Sequence, residues 1–319
     1  MKTKAVFFIF FIFFIYLFLV FSSKFKGPDE PIYYAYTASV VEDGDLNAVN
    51  HLDSNYPYYL PDGKIGISST YNLPDFHNHG GVVLWAPFYL YGKLVYFIDR
   101  KIDLMKLNNY GPEDITKCAM SFSTMIFGFV TLLLTFLFCR FFFSDTISAF
   151  STFVMFIATP YFYFTMQDVG NANIIASLFS VLSIWFLGYA IRMKKTHWFL
   201  CGLFFSICFI VKVDLWFQIF SIALVIFILI LLKKAHWSCG VYFLFGFTPG
   251  FILKTINDYI KYGTLHMGEF GLLNFKDCYF WEQLFSPYHG FFYTSPVFFI
   301  CMIGFILTII YFFRLILWK

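Results

Sequence analysis

The sequence predicts an all-α, polytopic integral membrane bundle of about eight spans, with a long outer loop carrying interfacial helices. Three observations predict it. The chain is 60% hydrophobic and only 13% charged, whereas a soluble domain carries about a quarter charged residues. Several segments run roughly 17–24 residues without a charge, enough to cross a hydrocarbon core about 30 Å thick. When those segments are threaded through a bilayer, the tight Lys and Arg clusters fall on one side, as the positive-inside rule expects of cytoplasmic loops.

Taken in order, the apolar runs lie near 5–22, 116–139, 146–166, 170–191, 197–213, 214–232, 238–254 and 294–315. The first follows Lys2 and Lys4, and no small-residue cleavage site follows before Lys24. It is therefore expected to remain as a span rather than act as a signal peptide. With the N-terminus inside, Arg140, Arg192, Lys194, Lys195, Lys233, Lys234, Arg314 and Lys319 all lie in the cytoplasm. A further apolar run, 82–98, contains Pro87, Gly92 and Lys93. If it crossed, the clusters near 192–195 and 233–234 would move outside, so an interfacial or re-entrant helix is expected there. Residues 1–319 then form one module with outer loops at about 23–115 and 255–293. Within the first loop, 32–41 is expected to be an amphipathic helix ending near Asp43-Gly44-Asp45. Residues 50–81 read as turns, with a short hairpin at Asp62-Gly63.

A net charge of +3 without a basic run argues against a nucleic-acid partner. The seven cysteines form no CxxC motif, so neither a zinc framework nor a disulfide framework is indicated. No cofactor is expected, and a divalent metal is left open. Asp29 and Glu30 stand a few residues past the first apolar run. Carboxylates at the mouth of a membrane bundle suit deprotonation of a hydroxyl or the holding of a metal.

Four stretches carry a resemblance. They are 27–46, with its Asp-Glu and its Asp-Gly-Asp-Leu end; His77-Asn78-His79-Gly80-Gly81 leading into 82–92; Ile256-Asn257-Asp258-Tyr259-Ile260-Lys261-Tyr262-Gly263; and 284–296, with Ser286-Pro287 and Ser295-Pro296. In this order they resemble the GT-C membrane glycosyltransferases, in the branch related to protein mannosyltransferases that uses polyprenyl- or dolichyl-phosphate sugars. The resemblance implies a transferase that moves a sugar from a lipid-linked donor to an extracytoplasmic lipid, glycan or protein. It also implies a multi-pass protein, with the third and fourth matches pointing to a bacterial inner membrane and an active face outside the cytoplasm. A transporter or flippase of lipid-linked glycans, and a truncated non-catalytic homologue, are the alternative readings.

For the site, the resemblance makes Asp29 the base that takes the acceptor proton, its pKa raised by desolvation near lipid. The plainer role is a cap before Pro31. Glu30 is either a metal or acceptor ligand or a first-turn acid favoured by the helix dipole. Lys212, followed closely by Asp214, suits the donor phosphate or is a snorkelling lysine in a turn. His77 and His79 suit an acceptor, a phosphate or a metal shared with Asp75. Gln167, Asp168, Asn171 and Asn173 suit sugar hydroxyls, or simply satisfy a turn. His289 and Tyr293 suit the donor phosphate or anchor at the interface.

Overall fold

The computed structural model describes residues 15, 21–25, 29–52, 79–103, 109–192, 195–212, 216–262, 285, 299–304 and 306–307. Among them the chain is all-helical, with no strand. The expected first span, the Asp62-Gly63 hairpin and most of the last span lie outside the described residues.

Helix α1 (Glu30–Glu42) starts where Pro31 falls in the first turn, a position that needs no N–H donor. It stops at Asp43 and Gly44, whose φ of 73° turns the chain out of the helix. The amphipathic expectation for this segment is corrected: residues 32–39 are buried on every side. Tyr33, Tyr34 and Ala38 pack with Trp85, Tyr89, Met120, Ile175 and Cys208. Ile32, Ala35 and Tyr36 pack the other way, on Ala48 and Val82. A helix apolar on all sides is one the rest of the protein encloses.

Helix α2 (Val82–Ile102) runs unbroken through Pro87. It has one buried face (Val82, Trp85, Tyr89, Gly92) and one exposed apolar face (Val83, Leu90, Leu94, Phe97, Ile98). Its approach is seated by glycines. A Cβ on Gly80, in the 3-10 turn His79–Gly81, would lie 2.6 Å from the Ile210 carbonyl carbon. One on Gly92 would lie 2.7 Å from the Thr116 Cα. Glu42 at the end of α1 is clasped by Lys93 (2.6 Å) and by the Tyr89 hydroxyl.

Helix α3 (Pro112–Cys139) is followed by α4 (Asp145–Ala158) and α5 (Tyr161–Met166). The single helix expected over 146–166 is corrected to these two. Thr159 is extended (φ −125°, ψ 165°), because a residue before proline is pushed out of the helical region. The remaining helices are α6 (Ala172–Arg192), α7 (Lys195–Val211), α8 (Trp216–Leu231) and α9 (Ser238–Tyr262). Helix α9 runs on to Tyr262, so the loop expected from residue 255 begins later.

Contacts fix the directions. Thr124 of α3 meets Gly170 just before α6, and Phe138 meets Gly188, so α3 and α6 run parallel. Cys208 donates to the Ala176 carbonyl (3.2 Å) and Ser183 to that of Cys201 (2.9 Å), so α6 and α7 are antiparallel. Gly246 abuts Phe199 and Gly250 abuts Ser206, so α7 and α9 are parallel. Helices α2, α3, α6 and α9 are long and apolar enough to cross a membrane, and α4, α7 and α8 are shorter apolar helices. The architecture is a helical membrane bundle, with α1 enclosed at one end of it.

Candidate functional site

The polar residues converge where α1 begins, where the turn between α5 and α6 lies, and where α7 ends. Pro160 starts α5 and α5 lasts only six residues, so the chain turns over at Gln167–Gly170 before α6 can begin. Gly170 takes φ 86°, a conformation glycine adopts without strain. Its N–H donates to Thr124 Oγ1 (2.8 Å), which fixes the turn to α3. The turn places Asp168 against Glu30.

Glu30 is fully buried and Asp168 is 6% exposed. Glu30 Oε1 accepts a long hydrogen bond from Asn171 Nδ2 (3.5 Å), while Glu30 Oε2 and Asp168 Oδ1 have no donor. Burial, reinforced by the charge of the facing Asp168, pushes the Glu30 carboxyl up to about 8. Asn171 Oδ1 then accepts from the Asn173 N–H (2.9 Å), a turn that opens α6. Asn173 Oδ1 accepts from the ammonium of Lys212 at the end of α7. A hydrogen-bonded line therefore runs from Glu30 through Asn171 and Asn173 to Lys212.

Lys212 and Asn173 also border a cleft of about 700 Å³, walled by Val154, Met155, Pro160, Phe164, Ile174 and Ile300. The cleft is predominantly apolar, with a cation at its rim. Ser177 and Ser180 line it further along α6, and Cys301 also lines it.

Of the residues singled out by sequence, Glu30, Asp168, Asn171, Asn173 and Lys212 come together. Asp29 sits at the cap position of α1, its carbonyl accepting from the Ile32 and Tyr33 N–H groups (3.1 Å each). Its side chain makes no capping hydrogen bond. His77, Asp75, Asp214, His289, Tyr293 and the side chain of His79 lie outside the described residues, so they are neither added to this cluster nor removed from it. Among the described residues no group of three or more His, Cys, Asp or Glu side chains forms a metal cluster. Sequence reading missed Thr124, which anchors the turn, and the serine face of α6. Serines at 177 and 180 following Asn173 do have the spacing of one helical face.

Fold and site together define a helical membrane protein with a carboxylate pair at one end, connected to a lysine at the rim of an apolar cleft. Residues 114–253 match the model of the dolichyl-phosphate-mannose-protein mannosyltransferase family, which supports a membrane glycosyltransferase of the GT-C type. The match spans Asp168, Asn171, Asn173 and Lys212, and ends short of Asp29 and Glu30 on the N-terminal side. No curated protein and no solved structure matches the chain.

Proposed function

We propose that this protein transfers a sugar from a polyprenyl-phosphate donor to a lipid, glycan or protein acceptor on the non-cytoplasmic face of the membrane. The observation that carries this reading is the lysine stationed at the rim of an apolar cleft and connected by hydrogen bonds to a buried carboxylate pair. A lipid-phosphate donor has the same division: a tail that prefers apolar walls and a phosphate that takes a charge-assisted hydrogen bond from an ammonium. The cleft receives the first units of the tail, and Lys212 takes the phosphate.

In the reaction the acceptor hydroxyl oxygen attacks the anomeric carbon. The bond from that carbon to the phosphate oxygen breaks, and polyprenyl phosphate leaves. Asp29, one residue from the buried pair at the start of α1, takes the acceptor proton. Lys212 stabilises the negative charge on the leaving phosphate, an electrostatic role that grows as the bond breaks.

Under the basic-residue topology the start of α6 and the end of α7 face the non-cytoplasmic side, where such a donor presents its sugar. The test compares lipid-linked sugars and surface glycans, by mass spectrometry, in cells with and without the gene. Loss of one surface sugar with accumulation of its lipid-linked form is expected. Identical profiles, together with no binding of polyprenyl-phosphate sugars by the purified protein, would overturn the reading.

A further inference from the structure

We propose that Glu30 and Asp168 hold a single proton between them, and that this shared proton makes Glu30 a positioning residue which docks α1 onto the turn before α6. Two buried carboxylate oxygens are orphaned. Glu30 Oε2 and Asp168 Oδ1 are both buried, and neither has a hydrogen-bond donor. Two ionised carboxylates have only acceptors to offer each other, so two such oxygens placed together repel and both stay unsatisfied. One proton supplies the missing donor to both.

Among the described residues no better counter-charge is present. Among the described residues neither Glu30 nor Asp168 has an ion-pair partner. Asn171 donates one amide hydrogen bond to Glu30, on the oxygen that faces away from the orphan. Tyr163 of α5 is within electrostatic reach of both carboxylates. Phe25, from the segment before α1, covers Gly170 beside Glu30, and the Lys24 next to it is exposed. Lys212 of α7 is turned to Asn173, and Asp29 precedes Glu30 on its own helix, adding negative charge. Burial and the facing carboxylate therefore act in one direction on Glu30, toward the neutral acid.

The proton has two consequences. It ties α1 to the bundle, because Glu30 is the first residue of α1 and Asp168 belongs to the turn fixed on α3 by Thr124. It also removes one negative charge from the place where, on the function proposed above, an anionic sugar-phosphate arrives. Only this second consequence rests on that reading.

The sign of the pH dependence follows from the raised pKa. The folded protein keeps a proton that the unfolded chain releases near 4.5. The stabilisation is thus complete below that value, and is lost progressively as pH rises to about 8.

The experiment is infrared spectroscopy of the full chain in lipid nanodiscs, without substrate, across a pH titration. A carbonyl stretch of a protonated carboxylic acid is expected at neutral pH, fading through about pH 8 and absent in Glu30→Gln. The thermal midpoint should fall between pH 5 and pH 8 in the wild type, and that part of the fall should vanish in Glu30→Gln, whose amide donates permanently. Should Glu30→Gln not accumulate, Asp168→Asn gives a second readout: its amide supplies a donor and removes the facing charge, so the band should fade at a lower pH than in the wild type. In transfer assays the wild-type kcat/KM should drop above about pH 8, and that drop should be absent from the residual activity of Glu30→Gln. The proposal is overturned if the band is missing at neutral pH, or persists unchanged in both variants. It is equally overturned if a chelator shifts the wild-type thermal midpoint, which would put a divalent cation between the carboxylates. The infrared band needs no sugar donor, so its failure is distinct from failure of the transferase reading.

Discussion

The Lys212 ammonium donates to the side-chain oxygen of Asn173, and that asparagine's own N–H donates back to Asn171. This pairing holds a flexible four-carbon side chain at the rim of an apolar cleft instead of leaving it to snorkel into solvent.

Replacing Lys212 by Ala is therefore expected to weaken donor binding. A hydrogen bond to a charged group is worth about 1.5–3 kcal/mol, which is roughly a 10–100-fold rise in KM. Asn173→Ala should give a smaller rise of the same kind, because the cation remains but is no longer held. Steady-state kinetics with a polyprenyl-phosphate sugar separates the two terms. A Lys212→Ala enzyme with unchanged KM would remove the lysine from the donor site.

Asp29→Asn keeps the size of the side chain and removes the base. Turnover is expected to fall about 10²–10⁴-fold, the usual contribution of a positioned general base. The amide is nearly isosteric with the carboxylate, so the start of α1 should still form, and loss of turnover without loss of folded protein is the expected pattern. Thermal unfolding and single-turnover transfer on the same preparation check both halves. Wild-type turnover in the variant would leave Asp29 as a residue of the helix start and nothing more.

The bundle was legible in the sequence because lipid imposes a simple constraint: long apolar runs and basic clusters at their ends. The runs at 116–139, 170–191 and 197–213 therefore correspond closely to α3, α6 and α7. The misjudged elements are those where tertiary surroundings decide. Residues 32–39 carry polar tyrosines and threonine in a pattern that reads as half-exposed, yet neighbours cover every face. The break at Thr159-Pro160 was present as a proline but was overridden by the apolar run around it. For the site, residue chemistry pointed to Glu30, Asp168 and Lys212 separately. The pairing of Glu30 with Asp168 spans 138 positions of sequence and depends on the turn that Thr124 and Gly170 set, which no local pattern encodes.

Cys301 lines the same cleft as Lys212 and is an exposed free thiol. In a background with the other six cysteines replaced by Ala or Ser, a bulky membrane-permeant maleimide at Cys301 is expected to block donor binding. Excess polyprenyl phosphate should slow the labelling. Labelling to completion with full binding retained would show that the tail lies elsewhere.

The placement of α2 yields a last test. Its leading turn rests on Ile210 at the end of α7, through Gly80, and its middle rests on Thr116 near the start of α3, through Gly92. In the basic-residue topology both contact points belong to the non-cytoplasmic ends of spans. A helix that touches two such ends within twelve residues, about 18 Å of helical rise, lies across the mouth of the bundle with its apolar face toward lipid. Its length and composition alone would also allow it to cross. Topology reporters fused after Asp103 and after Asp114 are both expected to report the non-cytoplasmic side, and impermeant labelling at Ser39→Cys should agree in partially unfolded protein. A cytoplasmic signal at Asp103 or Asp114 would mean that α2 crosses. The clusters at 192–195 and 233–234 would then face outward, and Glu30 and Asp168 would be assigned to opposite sides of the membrane, which the Asn171–Glu30 hydrogen bond argues against. Gly92→Leu separates the two arrangements independently. Its side chain would collide with the Thr116 backbone, 2.7 Å from where the Cβ must sit, and lift α2 from the mouth. Overpacking of this kind costs about 1–3 kcal/mol, so the expected result is a lowered thermal midpoint and greater protease access to α1, with the spans themselves still inserted.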